Sequence, residues 1–206
     1  MSDMSIGKQR IITLDMEGVV TPEIWIAVAD STGVDALRRT TRDEPDYQAL
    51  MDYRIGILRE NNISMTMIQS VIAGLDVLDG AREFLDKLRS RHQVVLLSDT
   101  FEQFAECFMA QLGRPHLLCH RLDLEDDRII AFSPRIADPK KRAVETYQAL
   151  NFHVTAMGDS HNDLSMLEAA DAGRFIHPPE GLSEQYPHLG VAKSYDDALA
   201  WIESVG

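Results

Sequence analysis

Ile11-Ile12-Thr13-Leu14-Asp15-Met16-Glu17-Gly18-Val19-Val20 opens on a short apolar run that ends in a carboxylate. A run of this length closed by a turn reads as a buried strand. Its end presents Asp15 at the rim of a sheet, where open α/β sheets bind ligands. Glu17 follows two residues later, and Gly18 breaks the pattern. Two acids in one turn can share a cation or divide the nucleophile and acid/base roles. An acid ending a strand also suits a plain turn or a helix cap, so the meaning of the pair depends on what else reaches the same edge.

Downstream of this strand the periodicity is helical up to Leu75. Pro22 suits a helix start with Thr21 as N-cap, Ile24, Trp25, Val28 and Ala29 form its apolar face, and Gly33 stops it. Pro45 opens a second helix, striped by Leu50, Met51, Ile55 and Leu58. Ser64 caps a third, with Met67, Ile68, Val71 and Ile72 inward. No strand is expected between Pro22 and Leu75. Alternation then begins. Helices are predicted over Ala81–Arg91, Phe101–Leu112, Pro139–Leu150, Asp163–Ala170 and Tyr195–Val205. Strands are predicted at Gln93–Leu97, Leu117–Cys119, Val154–Met157 and Arg174–Ile176, and Ile129–Phe132 forms a hairpin with the segment near Leu122. Alternating strands and helices imply an α/β fold, a Rossmann-like parallel sheet flanked by helices. The domain reading is a core of residues 1–20 and 76–206 with a small helical cap domain, 21–75, inserted after the first strand.

The chain has 206 residues, 45% of them apolar, enough for a sizeable core. Its 20 Lys and Arg stand against 33 Asp and Glu, a net charge of −13. An acidic surface argues against nucleic acid and anionic membranes as partners, and any anion site must be built locally. Cys107 and Cys119 form no CxxC motif and read as free thiols. No stretch is long and apolar enough to span a bilayer, and Met1–Arg10 lacks a signal-peptide core, so a cytoplasmic protein is expected.

Three predicted strand ends carry polar groups: Asp15 with Glu17, Ser98-Asp99-Thr100, and Gly158-Asp159-Ser160-His161-Asn162-Asp163. Lys140-Lys141 begins the helix before the last of these strands. In a parallel sheet these groups meet at one crevice. Asp15 and Asp159 would then form a hard oxygen site suited to Mg²⁺, while Ser98 and Lys140 would hold phosphoryl oxygens. Asp15 is placed to attack phosphorus and form an aspartyl-phosphate. An anionic nucleophile facing a phosphate ~4 Å away costs about 4 kcal/mol at an effective dielectric of 20, which a metal and a lysine would offset. Each piece also has a plainer reading: Ser98-Asp99-Thr100 as a helix cap, Lys140 as a solvated helix start, Glu23 and Arg54 as surface residues, His161 as a loop histidine.

Asp15-Met16-Glu17-Gly18-Val19, Ser98-Asp99-Thr100, Lys140 and the Gly158–Asp163 cluster resemble the four ordered motifs of the haloacid dehalogenase superfamily. Over roughly Ile11 to Trp201 the chain is similar to phosphoserine phosphatases. Pro22-Glu23-Ile24-Trp25-Ile26-Ala27, the Thr41–Tyr47 stretch and Leu97–Phe101 resemble a bacterial branch, the bifunctional phosphoserine phosphatase/homoserine phosphotransferases. The resemblance implies Asp15 as nucleophile and Glu17 as acid/base, its carbonyl also on Mg²⁺. It implies Asp159 as the further metal ligand with Asp163 behind it, and Ser98 and Lys140, rather than Lys141, on the phosphate. Glu23, Arg54 and Asn162 would contact the substrate, O-phosphoserine, with water or homoserine as acceptor. Glu17 stands where most relatives have Asp, and Asp99 where phosphoserine phosphatases usually have Gly; both departures fit the phosphotransferase branch. The rival readings are a phosphatase for another small ester and a receiver-like phospho-Asp signalling module.

Overall fold

The computed structural model describes residues 8–41, 43–44 and 46–205. The helix start predicted at Pro45 lies outside these. Strands β1 (Gln9–Leu14), β2 (Gln93–Phe101), β3 (His116–Glu125), β4 (Arg128–Ser133), β5 (Phe152–Gly158), β6 (Ala172–Ile176) and β7 (Val191–Ala192) form one sheet, ordered β4-β3-β2-β1-β5-β6-β7. Among the described residues only the β3–β4 pairing is antiparallel. Its turn residues Asp126 and Asp127 both have positive φ, the backbone twist that a two-residue hairpin turn demands.

The period-2 alternation of each strand divides the core between two faces. Ile12, Leu14, Leu96, Met157 and Ile176 pack against α4 (Ala81–Arg89), α5 (Glu102–Met109) and α9 (Tyr195–Ser204). Ile11, Val95, Leu97, Val154, Ala156 and Phe175 pack against α6 (Pro139–Ala149), α7 (Leu164–Ala169) and α8 (Leu182–Gln185). Full burial of each Leu, Ile or Phe contributes roughly 1.5–3 kcal/mol. β1 lies centrally, paired with β2 on one side and β5 on the other. The chain order reverses there, so the crevice of an open α/β sheet falls at the ends of β1 and β5.

Between β1 and α4 the chain is helical, as expected: α1 (Ile24–Thr32), α2 (Tyr47–Glu60) and α3 (Met65–Ile72), with a 3-10 turn at Asp35–Arg38. Gly33, with φ 70°, ends α1. The predicted α2 stripe is buried, and Ser64 caps α3 by accepting from the Met67 amide at 3.2 Å. Two details differ from expectation. Thr21 does not cap α1. Its hydroxyl donates to the Met16 carbonyl at 3.2 Å, and the Ile24 amide donates instead to Glu17 Oε2 at 3.1 Å. Met67 is 47% exposed, because Met65, Ile68 and Ile72 form the buried face of α3.

This helical segment is fastened to the hairpin. The Asp127 carbonyl accepts the Met65 amide at 2.7 Å, and its carboxylate accepts the Thr66 amide at 3.0 Å and hydroxyl at 2.9 Å. Tyr47, at the start of α2, donates its hydroxyl to the Asp99 carbonyl at 2.7 Å and packs edge-on against Phe132 at 5.3 Å. β2 runs beyond its predicted end, through Ser98-Asp99-Thr100 to Phe101. A register shift against β3 in this stretch re-aims those side chains. Phe101 precedes α5 without any side-chain cap, so the triplet is not a helix cap. α8 and β7 had no counterpart in the sequence reading. Both cysteines are free. No helix among the described residues is long and apolar enough to cross a membrane.

Candidate active site

The ends of β1, β2 and β5, the start of α6 and the entry turn of α1 meet at one cavity of about 290 Å³. Asp15, Glu17, Glu23, Arg54, Ser98, Asp99, Thr100, Lys140, Asp159 and Asn162 all line it. Every residue given a catalytic, phosphate, substrate or metal role from the sequence lines this cavity except Asp163, which is fully buried and accepts the Asp159 amide. His161, by contrast, is exposed and rests against Tyr186 at 6.2 Å.

Lys140 is the electrostatic hub. Pro139 opens α6 and Lys140 follows in its first turn, a poor place for a cation on helix-dipole grounds. It is nonetheless buried, and its Nζ lies 2.7 Å from Asp163 Oδ1, 3.0 Å from Asp15 Oδ1 and 3.3 Å from Asp99 Oδ2. Burial alone would lower the Lys140 pKa, but Asp15, Asp163 and Asp99 outweigh it and hold the ammonium well above its ordinary value. The plainer reading of Lys140 as a solvated helix start is thus overturned.

Asp163 is locked in place. Its Oδ2 accepts the Asp159 and Ser160 amides, both at 3.0 Å, and the Ser160 hydroxyl at 3.1 Å. With Oδ1 accepting from Lys140, its carboxylate is the most fully engaged of the acid cluster. Gly158 allows this packing, since a Cβ there would stand 2.3 Å from Asp163 Cγ. Asp15, Asp159 and Asp163 each offer an oxygen within 4.8 Å of the others. Burial and then Asp163 push Asp15 well above the usual carboxylate range and Asp159 to about 8. Gly18, with φ +76°, lets the β1–α1 turn close over Asp159, where a Cβ would meet Oδ2 at 2.4 Å. Buried, mutually repelling oxygens of this kind fit a hard divalent cation. Among the described residues, five carboxylates (Asp15, Glu17, Glu23, Asp99, Asp159) and two cations (Arg54, Lys140) line the cavity, a balance to which a divalent cation would add positive charge for an anionic ligand.

The Glu17 carboxylate accepts the first amide of α1, that of Ile24, at 3.1 Å. Burial, and then Glu23, push its carboxyl up to about 7. A carboxyl at that value both gives and takes protons near neutral pH. Arg54 is buried, stacks on Trp25 at 4.6 Å and donates to the Arg39 carbonyl at 2.8 Å. Its Nε is buried without a partner, and the residue lines the cavity. Ser98 is buried, its Oγ accepting the Thr100 amide at 3.2 Å.

Asp99 is paired rather than free to repel a ligand. Besides Lys140, His120 Nε2 lies 3.6 Å from its Oδ1. Burial would raise its carboxyl, but Lys140 and His120 outweigh that and hold it below the usual range. His120 had escaped the sequence reading. It lies in no motif, and β3 was expected to end before it.

An acid triad at the switch point of a parallel sheet, with a buried lysine bridging two of its members, defines a class. A family profile of haloacid dehalogenase-like hydrolases matches residues 9–171, and the chain belongs to that family. Within it the chain is an enzyme of the phosphoserine phosphatase group. It is 49% identical to the phosphoserine phosphatase ThrH of Pseudomonas aeruginosa, over 91% of this chain and 92% of that protein. It is 47% identical to a phosphoserine phosphatase of Pseudomonas syringae pv. tomato, over 91% of this chain and 80% of that one. A solved structure described as a phospho-aspartyl intermediate analogue of phosphoserine phosphatase shares the fold. Its TM-score is 0.78 at 17% identity, covering 94% of this chain and 99% of that one.

Proposed function

We propose that this chain is a Mg²⁺-dependent phosphatase and phosphotransferase for O-phosphoserine, acting through a phosphorylated Asp15. One observation carries the reading: the Lys140 ammonium is shared among Asp15, Asp99 and Asp163 on the floor of an acid-lined cavity. That arrangement supports a nucleophilic carboxylate beside a fixed positive charge for phosphoryl oxygens. The 49% identity to a phosphoserine phosphatase supports the substrate class.

Asp15, Asp159 and the Glu17 main-chain carbonyl would hold Mg²⁺, with Asp163 behind them. The ion would offset the charge on the phosphoryl oxygens. Ser98 and Lys140 bind those oxygens. Arg54 takes the substrate carboxylate, Glu23 its ammonium, and Asn162 completes the substrate side. Asp15 attacks phosphorus, the bond to the serine oxygen breaks, and Glu17 gives that oxygen its proton. Glu17, now ionised, takes a proton from water or from the homoserine hydroxyl as that oxygen attacks phosphorus, and the bond to Asp15 breaks. Residues 21–75 act as the cap that excludes water from the first step, over a core of residues 1–20 and 76–206.

The test is turnover of O-phosphoserine with Mg²⁺, with and without homoserine, by wild type and Asp15→Asn. Wild type should release serine and phosphate and should form a homoserine phosphate ester. Asp15→Asn should do neither, and normal turnover by it overturns the nucleophile assignment. Release of inorganic phosphate alone across a wide homoserine range removes the transfer reaction and leaves the hydrolysis.

A further inference from the structure

Asp99 poses a problem that the four motifs leave unsolved. It places a carboxylate beside the phosphate site proposed above, on the very ammonium a phosphoryl oxygen must reach. Three carboxylates already lie within 3.3 Å of the Lys140 ammonium, so an arriving phosphoryl oxygen competes with them for its three N–H groups. Asp163 is held by two amides and a hydroxyl. Asp15 is the proposed nucleophile. The Asp99 contact, at 3.3 Å, is the longest of the three, and its carboxylate is the most exposed of them.

Behind Asp99 stands His120. Its ring is buried and packs edge-on against Phe132 at 5.3 Å. Nδ1 accepts the Arg135 amide at 3.2 Å, which leaves the proton of the neutral ring on Nε2, facing Asp99 Oδ1 at 3.6 Å. That distance is a few tenths of an ångström beyond a hydrogen bond. Asp99 thus lies between two donors, slightly long to each.

The geometry points to His120 as a positioning residue for phosphate binding. A phosphoryl oxygen displaces Asp99 from Lys140, and the carboxylate closes the remaining gap onto His120 Nε2. The move turns a competing negative charge away from the phosphate and leaves it hydrogen-bonded. No proton or covalent bond changes hands. The inference rests on the cavity being a phosphoryl site.

The experiment measures steady-state kinetics on O-phosphoserine, inhibition by inorganic phosphate, and thermal unfolding. The proteins are wild type, His120→Leu, His120→Asn, His120→Gln, Asp99→Asn and the His120→Leu/Asp99→Asn double variant. Leu supplies no donor, and Asn keeps an acceptor for Arg135 but is too short to reach Asp99. Both should raise KM and the phosphate inhibition constant about tenfold while kcat stays within threefold. Gln, long enough to donate to Asp99, should stay within threefold of wild type. In the Asp99→Asn background, His120→Leu should change KM less than threefold, because no carboxylate remains to be relocated. If Leu unfolds the protein, Asn carries the comparison. A KM rise below threefold in the folded variants, a loss confined to kcat, or an equal loss in the Asp99→Asn background overturns the proposal. Wild type that does not turn over O-phosphoserine sinks the underlying reading itself, and is thereby distinguishable.

Discussion

Replacing Lys140 by Met removes a cation that touches three carboxylates while roughly keeping the volume of its stem. The contacts are 2.7, 3.0 and 3.3 Å. One unit pair ~4 Å apart is worth about 4 kcal/mol at an effective dielectric of 20. Burying the ammonium costs several kcal/mol in the opposite sense, and losing one partner of a buried pair typically destabilises by roughly 3–5 kcal/mol. Asp15 and Asp159 already lie above the usual carboxylate range through burial and the Asp163 charge, so proton uptake relieves part of the repulsion. The expected loss is therefore near the lower end, about 3 kcal/mol. It should appear as a lower urea midpoint at neutral pH in EDTA, with an unchanged slope m, followed by circular dichroism. Turnover of O-phosphoserine should vanish in the same variant. A loss below about 1 kcal/mol, the scale of a surface ion pair, would refute the claim that Lys140 holds the acids together.

Gly18→Ala should cost about 1–2 kcal/mol from the left-handed backbone alone. Because its Cβ would stand 2.4 Å from Asp159 Oδ2, it should also weaken Mg²⁺ binding in a calorimetric titration; unchanged affinity would mean that Asp159 takes no part in the metal site. Arg54→Ala should lower kcat/KM for O-phosphoserine by about 2–4 kcal/mol, roughly 30- to 1,000-fold. An ester without a carboxylate, such as phosphoethanolamine, should lose far less; equal losses would remove Arg54 from substrate recognition. Asp171 accepts the Val154 amide at 2.8 Å and the Gln148 amide at 3.2 Å. Burial tends to raise its carboxyl, but these hydrogen bonds outweigh it and hold the pKa below the ordinary value. The unfolded chain then binds its proton first as pH falls, so this stabilisation exists above about pH 4 and is lost below it. Asp171→Asn should melt earlier than wild type at pH 7, with the gap closing in acid; a gap independent of pH would contradict the assignment.

The sheet and its flanking helices were readable because each long element repeats its apolar residues over several turns or strand residues. The same holds for the acids at the ends of β1 and β5, where strand ends in a parallel sheet share one edge. What escaped had no period to betray it. β7 is two residues long and α8 four. The true cap of α1 is Glu17, which lies seven residues before Ile24 and reaches it only through the fold of the turn. Met67 fits the spacing of an inward residue, but α3 is rotated so that Met65 is buried instead. His120 is an isolated histidine on a strand, and its meaning depends on Asp99 from the neighbouring strand. Arg54 lies among apolar residues on α2, and neither its burial nor its stacking on Trp25 follows from periodicity.

The grip of the β3–β4 hairpin on α3 has a mechanical consequence. On the proposed reading of residues 21–75 as a cap, the contacts at Asp127 and Tyr47 would keep it from swinging as a free flap. Opening would carry the hairpin along, or else release the Met65 and Thr66 amides to water. The Met65 amide is therefore a natural reporter of opening, and its rate of deuterium uptake would read the gate directly, without any ligand in the pocket.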